Sequence, residues 1–190
     1  MRILVVCIML FFISCGHSSY IPQNGDIVLQ DSFSPSSEAI KTASGSQFSH
    51  CGIIMIENGE KFVIEAYGPV GRTQFDEWVK RGKNRYTAMR LKNGDDVSKV
   101  ISSLKSFIGK PYDPLYEWAD DKIYCSELVY KSYLNGLGIE LCSLRTLKEY
   151  DIKPVIDQVI ERYGKVPENQ LVIAPEDIFK SKELTIVFSN

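Results

Sequence analysis

The sequence has little of what nucleic-acid-binding and metal-binding proteins need. Its 190 residues hold 22 Lys and Arg against 24 Asp and Glu, a net charge of −2, so no basic surface for phosphate backbones is expected. Only two histidines are present, without CxxC or HExxH spacing, which disfavours a zinc site. The sequence therefore predicts no nucleic-acid partner, no metal and no cofactor.

The composition, 44% hydrophobic and 24% charged, is typical of one globular domain with a buried core. Strand-like and helix-like segments alternate without a regular βαβ rhythm, which predicts an α+β fold with a largely antiparallel sheet packed against helices. The predicted helices are 38–42, 73–80, 95–108, 125–136 and 155–163. The predicted strands are 26–29, 50–56, 61–67, 86–91, 171–173 and 184–188.

The N-terminus predicts export. Residues 3–13 form an unbroken apolar run that is too short to span a bilayer and is typical of a signal-peptide core. The run ends in the letters FISCG, which resemble the lipobox of bacterial lipoproteins. That resemblance implies a signal peptide over 1–14, cleavage before Cys15 and lipidation of its thiol. The alternative is an ordinary secretory signal that is cut near Ser18.

Both readings place the mature protein outside the cytoplasm, with residues 15–24 as a tether and 25–190 as a single domain. Export also changes the cysteine count, because Cys7 leaves with the signal and Cys15 carries lipid. Three thiols remain, and an odd number means that at least one is free. A disulfide between Cys51 and Cys142 is compatible with the sequence but not required by it.

A hairpin is predicted around Asn58-Gly59, because a type I′ turn needs positive φ at both central residues. Its register pairs Glu57 with Glu60 and continues outward residue by residue. Successive strand side chains point to opposite faces, so His50 and Cys51 face apart. Cys51 then belongs to an apolar face and is expected to be structural.

The opposite face of the hairpin carries His50, the only imidazole left once His17 is assigned to the tether. Gly52 shares that face and lies across from Glu65, so the carboxylate of Glu65 has room to lean towards the ring. This is the arrangement of a base and the acid that orients it. The alternative is a stray histidine and a stray glutamate on a half-exposed face.

A nucleophile for this base is expected in KIYCSELVYKSYL, where a helix begins near Cys125. The first turn of a helix offers unpaired N–H groups and a partial positive charge, both of which stabilise a thiolate. The alternative for Cys125 is a core cysteine that opens an amphipathic helix. Cys142, in the segment ELCSLR, has no such setting and is expected to be structural.

Five segments, GDIVLQ, FSHCGII, FVIEAYG, GKPYD and YCSELVYKSY, resemble the permuted papain-like amidases, the YiiX-like family of the NlpC superfamily. The resemblance runs in order from about Gly25 to Gly138, and after about Leu144 only an AP-x-D segment is similar. It implies a circularly permuted papain-like, NlpC-type fold. It also implies that Cys125 is the nucleophile, His50 the base and Glu65 the third member of a triad.

The resemblance says less about the oxyanion site. The backbone N–H of Cys125 is one expected donor, and Tyr112 and Gln30 are candidates for the other. Tyr124 matches the family motif and is expected to line the pocket or the core. Glu127 also matches and is expected to pair with a cation or a backbone N–H.

These observations together predict a cysteine hydrolase that is lipid-anchored to the bacterial cell envelope, at the periplasmic or outer-membrane face. It would cleave an amide bond of a peptide or N-acyl substrate through a thioester, with cell-wall peptides as the first expectation. One rival is an acyltransferase or lipid esterase of the lecithin retinol acyltransferase type, which shares the permuted layout. The others are a non-catalytic binding lipoprotein and a structural envelope lipoprotein.

Overall fold

A computed structural model describes residues 20–94 and 96–190. The predicted signal peptide, 1–14, and the predicted lipidation site, Cys15, lie outside the described residues. Of the predicted tether, 20–24 is described, and this part contacts the domain. The hydroxyl of Tyr20 donates to Asp26 at 2.7 Å, and its ring stacks on Phe188 with centroids 5.5 Å apart.

Six strands form one antiparallel sheet in the order β4-β3-β2-β1-β5-β8, and β6 pairs with β7 in a separate two-stranded ribbon. The strands are β1 (Ile27–Gln30), β2 (His50–Glu57), β3 (Glu60–Ala66), β4 (Val70–Gln74), β5 (Thr87–Leu91), β6 (Arg145–Thr146), β7 (Leu171–Val172) and β8 (Leu184–Ser189). The predicted α+β class with a mainly antiparallel sheet is confirmed.

The helices pack on both faces of the sheet. They are α1 (Ser37–Ser44), α2 (Phe75–Arg81), α3 (Ser98–Ser106), α4 (Cys125–Leu137), α5 (Ile156–Tyr163) and α6 (Pro175–Phe179). One face of the sheet packs against α3 and α4 in the larger core, and the other packs around Trp78 of α2 in a smaller core. None of the described helices is both long and apolar enough to cross a membrane.

The hairpin prediction is confirmed in both turn and register. Asn58 and Gly59 have φ of 53° and 81°, the positive values that a type I′ turn requires. Glu57 lies across from Glu60, and the pairing continues to Ile53 and Ile64. Cys51, Ile53, Met55, Ile64 and Ala66 all belong to the larger core, so the apolar face was predicted correctly.

Several predicted helix boundaries are wrong. The helix expected over 95–108 covers only Ser98–Ser106. The helix expected over 73–80 begins only at Phe75, because Thr73 pairs with Val63 as part of strand β4. Helix α4 does not stop at Gly136 but continues to Leu137, with Gly138 at φ +70° as its C-cap. Gly136 is instead a close-packing position, because an added Cβ would lie 2.7 Å from the backbone nitrogen of Val100 in α3.

Candidate active site

The start of α4 and the start of β2 meet at the centre of the molecule. Cys125 is the first residue of α4, and His50 is the first residue of β2. Both are nearly buried, at 5% and 4% exposure. Helix α4 packs directly on β2, which brings together two residues that are 75 positions apart in the sequence.

The imidazole of His50 is held by Glu65 on the adjacent strand. The distance from His50 Nε2 to Glu65 Oε2 is 2.5 Å, and both side chains are buried. Because Glu65 is ionised, Nε2 carries the hydrogen and donates it to the carboxylate. The other ring nitrogen, Nδ1, is therefore the one left to act on Cys125.

Glu65 receives more donors than His50 alone. Trp78 Nε1 donates at 3.0 Å, Thr73 Oγ1 at 2.5 Å, and Arg81 at 2.8 and 2.9 Å. Burial raises the pKa of Glu65, but the hydrogen bond and charge of His50, with Thr73 and Arg81, outweigh it and lower the pKa to about 2. The carboxylate is thus fixed in position and ionised at any physiological pH.

The roles of Trp78, Thr73 and Arg81 around Glu65 were not predicted from the sequence. Trp78 and Arg81 lie three positions apart on α2 and therefore share a helix face, which is a signal that the sequence does contain. Thr73 was assigned to a helix, which hid its position on the strand next to Glu65. The guanidinium of Arg81 also lies 4.0 Å above the ring of Tyr67, so the same cation contacts the acid and a half-exposed aromatic wall.

The shifted pKa values of Cys125 and His50 result from their interaction. Hydrogen bonding from Cys51 and from His50, with the charge of His50, lowers the pKa of Cys125 well below its ordinary value despite burial. Burial would lower the pKa of His50, but its hydrogen bonds to Cys125 and Glu65 raise it to about 9. At neutral pH these directions favour a thiolate beside an imidazolium.

Cys51 lies on the core face as predicted, but it is more than packing. Burial, followed by the neighbouring Cys125, raises the pKa of Cys51 well above its ordinary value, so it remains a thiol. Hydrogen bonding from its side chain and from its backbone lowers the pKa of Cys125. The alternation of side chains along the strand correctly predicted that Cys51 and His50 face apart. It does not predict that Cys125 contacts both.

The described cysteines, Cys51, Cys125 and Cys142, are all free, so no Cys51–Cys142 disulfide is formed. Burial raises the pKa of Cys142 to about 12, and the charge of Asp177 adds to the shift. Cys142 therefore has the inert character of a packed thiol, in contrast to Cys125.

The candidate oxyanion residues have different surroundings. As the first helical residue, Cys125 has a backbone N–H without a partner inside α4. Burial, followed by the charges of Tyr116 and Cys125, raises the pKa of Tyr112, and its backbone pairs with Ile123 two residues before Cys125. The hydroxyl of Tyr124 accepts the N–H of Ile173 at 3.1 Å, so this residue belongs to a packed wall.

Gln30 lies across from His50 in the pairing of β1 with β2. Its amide is packed against Gly82, where an added Cβ would lie only 2.2 Å from Gln30 Oε1. Among the described residues, neither atom of this amide has a hydrogen-bond partner. Gln30 lines a second, polar cavity that it shares with Arg85 and Thr87.

Glu127 has the structural role that was expected of it. Lys131 Nζ lies 2.8 Å from Glu127 Oε1, and Glu127 Oε2 accepts the backbone N–H of Tyr124 at 3.4 Å. Burial raises the pKa of Glu127 to about 7, and Lys131 limits that rise. The carboxylate therefore fixes the start of α4, and with it the position of Cys125.

An apolar cavity of about 190 Å³ opens directly beside Cys125. Its walls come from α1, the first turn of α4, α5 and the segments 147–155 and 172–175. Most of this lining follows residue 144, in a region for which the sequence predicted a helix and two strands but no role in the site.

The chain matches the model of the family described as permuted papain-like amidase enzyme, YaeF/YiiX, C92 family, over residues 21–188. It is 37% identical to the uncharacterized protein YiiX of Escherichia coli strain K12, over 98% of this chain and 94% of that protein. A crystal structure of yiiX from Escherichia coli O157:H7 superposes with a TM-score of 0.87 at 39% identity. It covers 90% of this chain and 99% of that chain.

That crystal structure is described as one of a metalloprotein. Within 20–94 and 96–190 of the present chain, no group of three or more His, Cys, Asp or Glu side chains is placed to hold a metal ion. A metal on these residues would have to displace the proton of Cys51, whose pKa is raised, and His50 Nε2 is already held by Glu65. These side chains do not fit a resident metal.

Proposed function

The chain belongs to the permuted papain-like amidase family, YaeF/YiiX, C92, and from that premise we propose that Cys125, His50 and Glu65 form its catalytic triad. One observation carries the assignment. A thiol whose pKa is lowered lies beside an imidazole whose pKa is raised, at the first turn of a helix. This is the state in which a cysteine attacks a carbonyl carbon without needing a further base.

In the first half of the reaction, the Cys125 thiolate attacks the amide carbonyl and forms a C–S bond. The charge that develops on the carbonyl oxygen is stabilised by the free N–H of Cys125. The Nδ1 proton of the His50 imidazolium then passes to the amide nitrogen. The C–N bond breaks, the amine leaves, and a thioester remains on Cys125.

The second half releases the acid. His50, now neutral, takes a proton from water, and the resulting hydroxide attacks the thioester carbonyl. The C–S bond breaks, which frees the carboxylic acid and restores the thiolate–imidazolium pair. Glu65 stays ionised throughout, because its donors hold its pKa at about 2, and it keeps the imidazole in the productive orientation.

The proposed location is the cell envelope, through a lipid on Cys15. The apolar run at 3–13 and the letters FISCG support it. Tyr20 packs onto the sheet only five residues after Cys15, and five extended residues span at most about 18 Å. A lipid there would hold the Tyr20 end of the domain close to a membrane surface. Labelling with palmitate should mark the wild type but not Cys15→Ala; equal labelling would exclude the anchor.

Envelope amides offer two substrate classes, cell-wall peptides and N-acyl amines, and the reaction is tested on both. Labelled peptidoglycan, an N-acyl amine and a phospholipid are incubated with the wild type and with Cys125→Ala. Release of an amine by the wild type alone, with a mass adduct on Cys125 after rapid acid quenching, is expected. Release of fatty acid from phospholipid, with every amide intact, would contradict the amidase and favour the esterase or acyltransferase.

A further inference from the structure

We propose that the cavity beside Cys125 binds the aliphatic acyl chain of the substrate, so that the amides cleaved are medium-chain N-acyl amines. This inference rests on the proposed function for the nucleophile and goes beyond it by naming the substrate class. Three features of the cavity carry it: its surface, its position relative to His50, and its size.

The surface is apolar because the polar atoms around it are already bound by the protein. Tyr150 donates its hydroxyl to Asp177 at 2.5 Å, and Tyr163 donates to the carbonyl of Leu115 at 2.5 Å. Ser126 Oγ donates to the carbonyl of Ile173 at 2.7 Å. These side chains turn their hydroxyls into the protein and leave ring and methylene carbons facing the cavity, beside Ile40, Val159 and Pro175.

Among the described lining residues, Arg162 is the only Lys, Arg, Asp or Glu, and it is an exposed side chain. Its guanidinium donates to the carbonyl of Pro114 at 3.1 Å and lies 5.2 Å from the ring centre of Tyr116. A buried carboxylate needs a compensating cation or several donors, and the interior of this cavity provides neither. A hydrocarbon chain fits such a surface, whereas a peptide rich in carboxylates does not.

The position of the cavity assigns it to the acyl side of the scissile bond. The lining includes Cys125 and Ser126 but, among the described residues, not His50. The leaving amine must lie next to His50, because it receives its proton from that ring. The group that remains attached to Cys125 therefore extends the other way, into the cavity.

The size sets the chain length. A cavity of 150 Å³ in another protein binds benzene, so the volume of about 190 Å³ here holds a chain on the order of eight carbons. Each buried CH₂ contributes about 0.8 kcal/mol, which is about fourfold in affinity. Chains much longer than this must extend past the rim and should add little.

The test is a series of amides of one fluorogenic amine with acyl chains from acetyl to hexadecanoyl. We expect kcat/KM to rise about fourfold per CH₂ at first and by at least about 100-fold in total, and to level off near octanoyl. A value of kcat/KM that is flat or falls with chain length would overturn the proposal. In that outcome the amidase assignment stands, because the acetyl amide is still cleaved.

A matched pair of variants localises the effect. Ala39→Phe places a ring in the cavity from α1, whereas Thr42→Phe places the same ring on an exposed part of the same helix. The octanoyl amide should lose about tenfold or more in kcat/KM with Ala39→Phe and nothing with Thr42→Phe. The acetyl amide should be cleaved by Thr42→Phe at the wild-type rate, and Ala39→Phe should lose much less on the acetyl amide than on the octanoyl amide. Thermal midpoints close to that of the wild type show that both variants are folded. An equal effect of both rings on the octanoyl amide would contradict the proposal.

Ligand binding to an inactive variant tests the acyl-chain site separately from the amidase activity. Octanamide, an uncharged octanoyl compound, should bind to Cys125→Ala, measured by calorimetry, and binding should be lost when Ala39→Phe is added to that variant. If octanamide binds in this way while the wild type cleaves no amide, the chain site stands and the amidase assignment fails. If octanamide does not bind, or binds equally with Ala39→Phe, the chain site is wrong whatever the enzyme cleaves.

Discussion

The two walls that meet at Cys125 differ in chemistry. On the hairpin side, buried His50 and Glu65 and half-buried Arg81 form a hydrogen-bonded charge network. On the α5 side, the tyrosine hydroxyls are bound to backbone carbonyls and Asp177, so carbon faces the open space. Buried polar atoms are hydrogen-bonded within the protein on both walls. On the hairpin wall these bonds fix charged groups in position, and on the cavity wall they turn the tyrosine hydroxyls away from the open space.

This contrast implies that chemistry and substrate choice can be changed separately. A change to the hairpin wall should reduce the rate for every acyl chain by the same factor, because it acts on the proton and the thiolate. A change to the cavity wall should act only on long chains. Each of the following changes to Cys125 and the hairpin wall tests that separation, beginning with the largest expected effect.

Replacing Cys125 with Ala removes the nucleophile while leaving both walls intact. We expect turnover to fall by about 10⁴-fold or more for all acyl chains, with the thermal midpoint nearly unchanged. Cys142→Ala is the control, because that thiol is packed and has a raised pKa. Measurable amide cleavage by Cys125→Ala, or loss of activity in Cys142→Ala, would contradict the assignment.

Replacing His50 with Ala removes the proton carrier. Positioned acid–base catalysis contributes about 10²–10⁴-fold, and loss near the upper end is expected because His50 also stabilises the Cys125 thiolate. Rates with acetyl and octanoyl amides should fall by one common factor. A chain-dependent loss would show that the hairpin wall also selects the substrate.

Glu65→Gln should cost less, about 10²-fold in kcat, because it removes the orienting charge and leaves the base. Glu65 helps to raise the pKa of His50, so the alkaline limb of the kcat profile should move to lower pH in this variant. An unchanged rate and an unchanged limb would remove Glu65 from the site.

Cys51→Val should have the smallest effect on rate. It removes the S–H that lowers the pKa of Cys125, so the acid limb of kcat/KM should move to higher pH. One hydrogen bond contributes about 0.5–1.5 kcal/mol, which corresponds to a two- to tenfold lower rate on that limb. Cys51→Ser keeps a donor and should shift the limb less; identical limbs in all three proteins would make Cys51 purely structural.

The hairpin wall was largely predictable from the sequence because its geometry is local. A two-residue turn fixes the hairpin register, and that register alone placed His50 and Glu65 on one face. The start of a helix at Cys125 was also a local signal. The prediction was wrong at Thr73, which was expected in a helix but lies in strand β4, where it pairs with Val63.

The cavity wall was not accessible because it depends on packing between distant segments. Helix α1 meets the chain near Lys153 only in the folded protein, and Asp151 donates its N–H to the carbonyl of Ala43. The contact between Cys51 and Cys125 is hidden in the same way, since it requires α4 to dock on β2. No periodicity within either segment encodes such a contact.

We propose that Cys125 and His50 form an ion pair at neutral pH, and the rate at which iodoacetamide alkylates Cys125 at different pH values is the decisive measurement. We expect rapid alkylation at pH values well below the ordinary thiol pKa of about 8.5, because the pKa of Cys125 is lowered, and a second change near the His50 pKa of about 9. In His50→Ala the acid-side reactivity should disappear. A single titration near pH 8.5 in the wild type, unchanged in His50→Ala, would contradict the account.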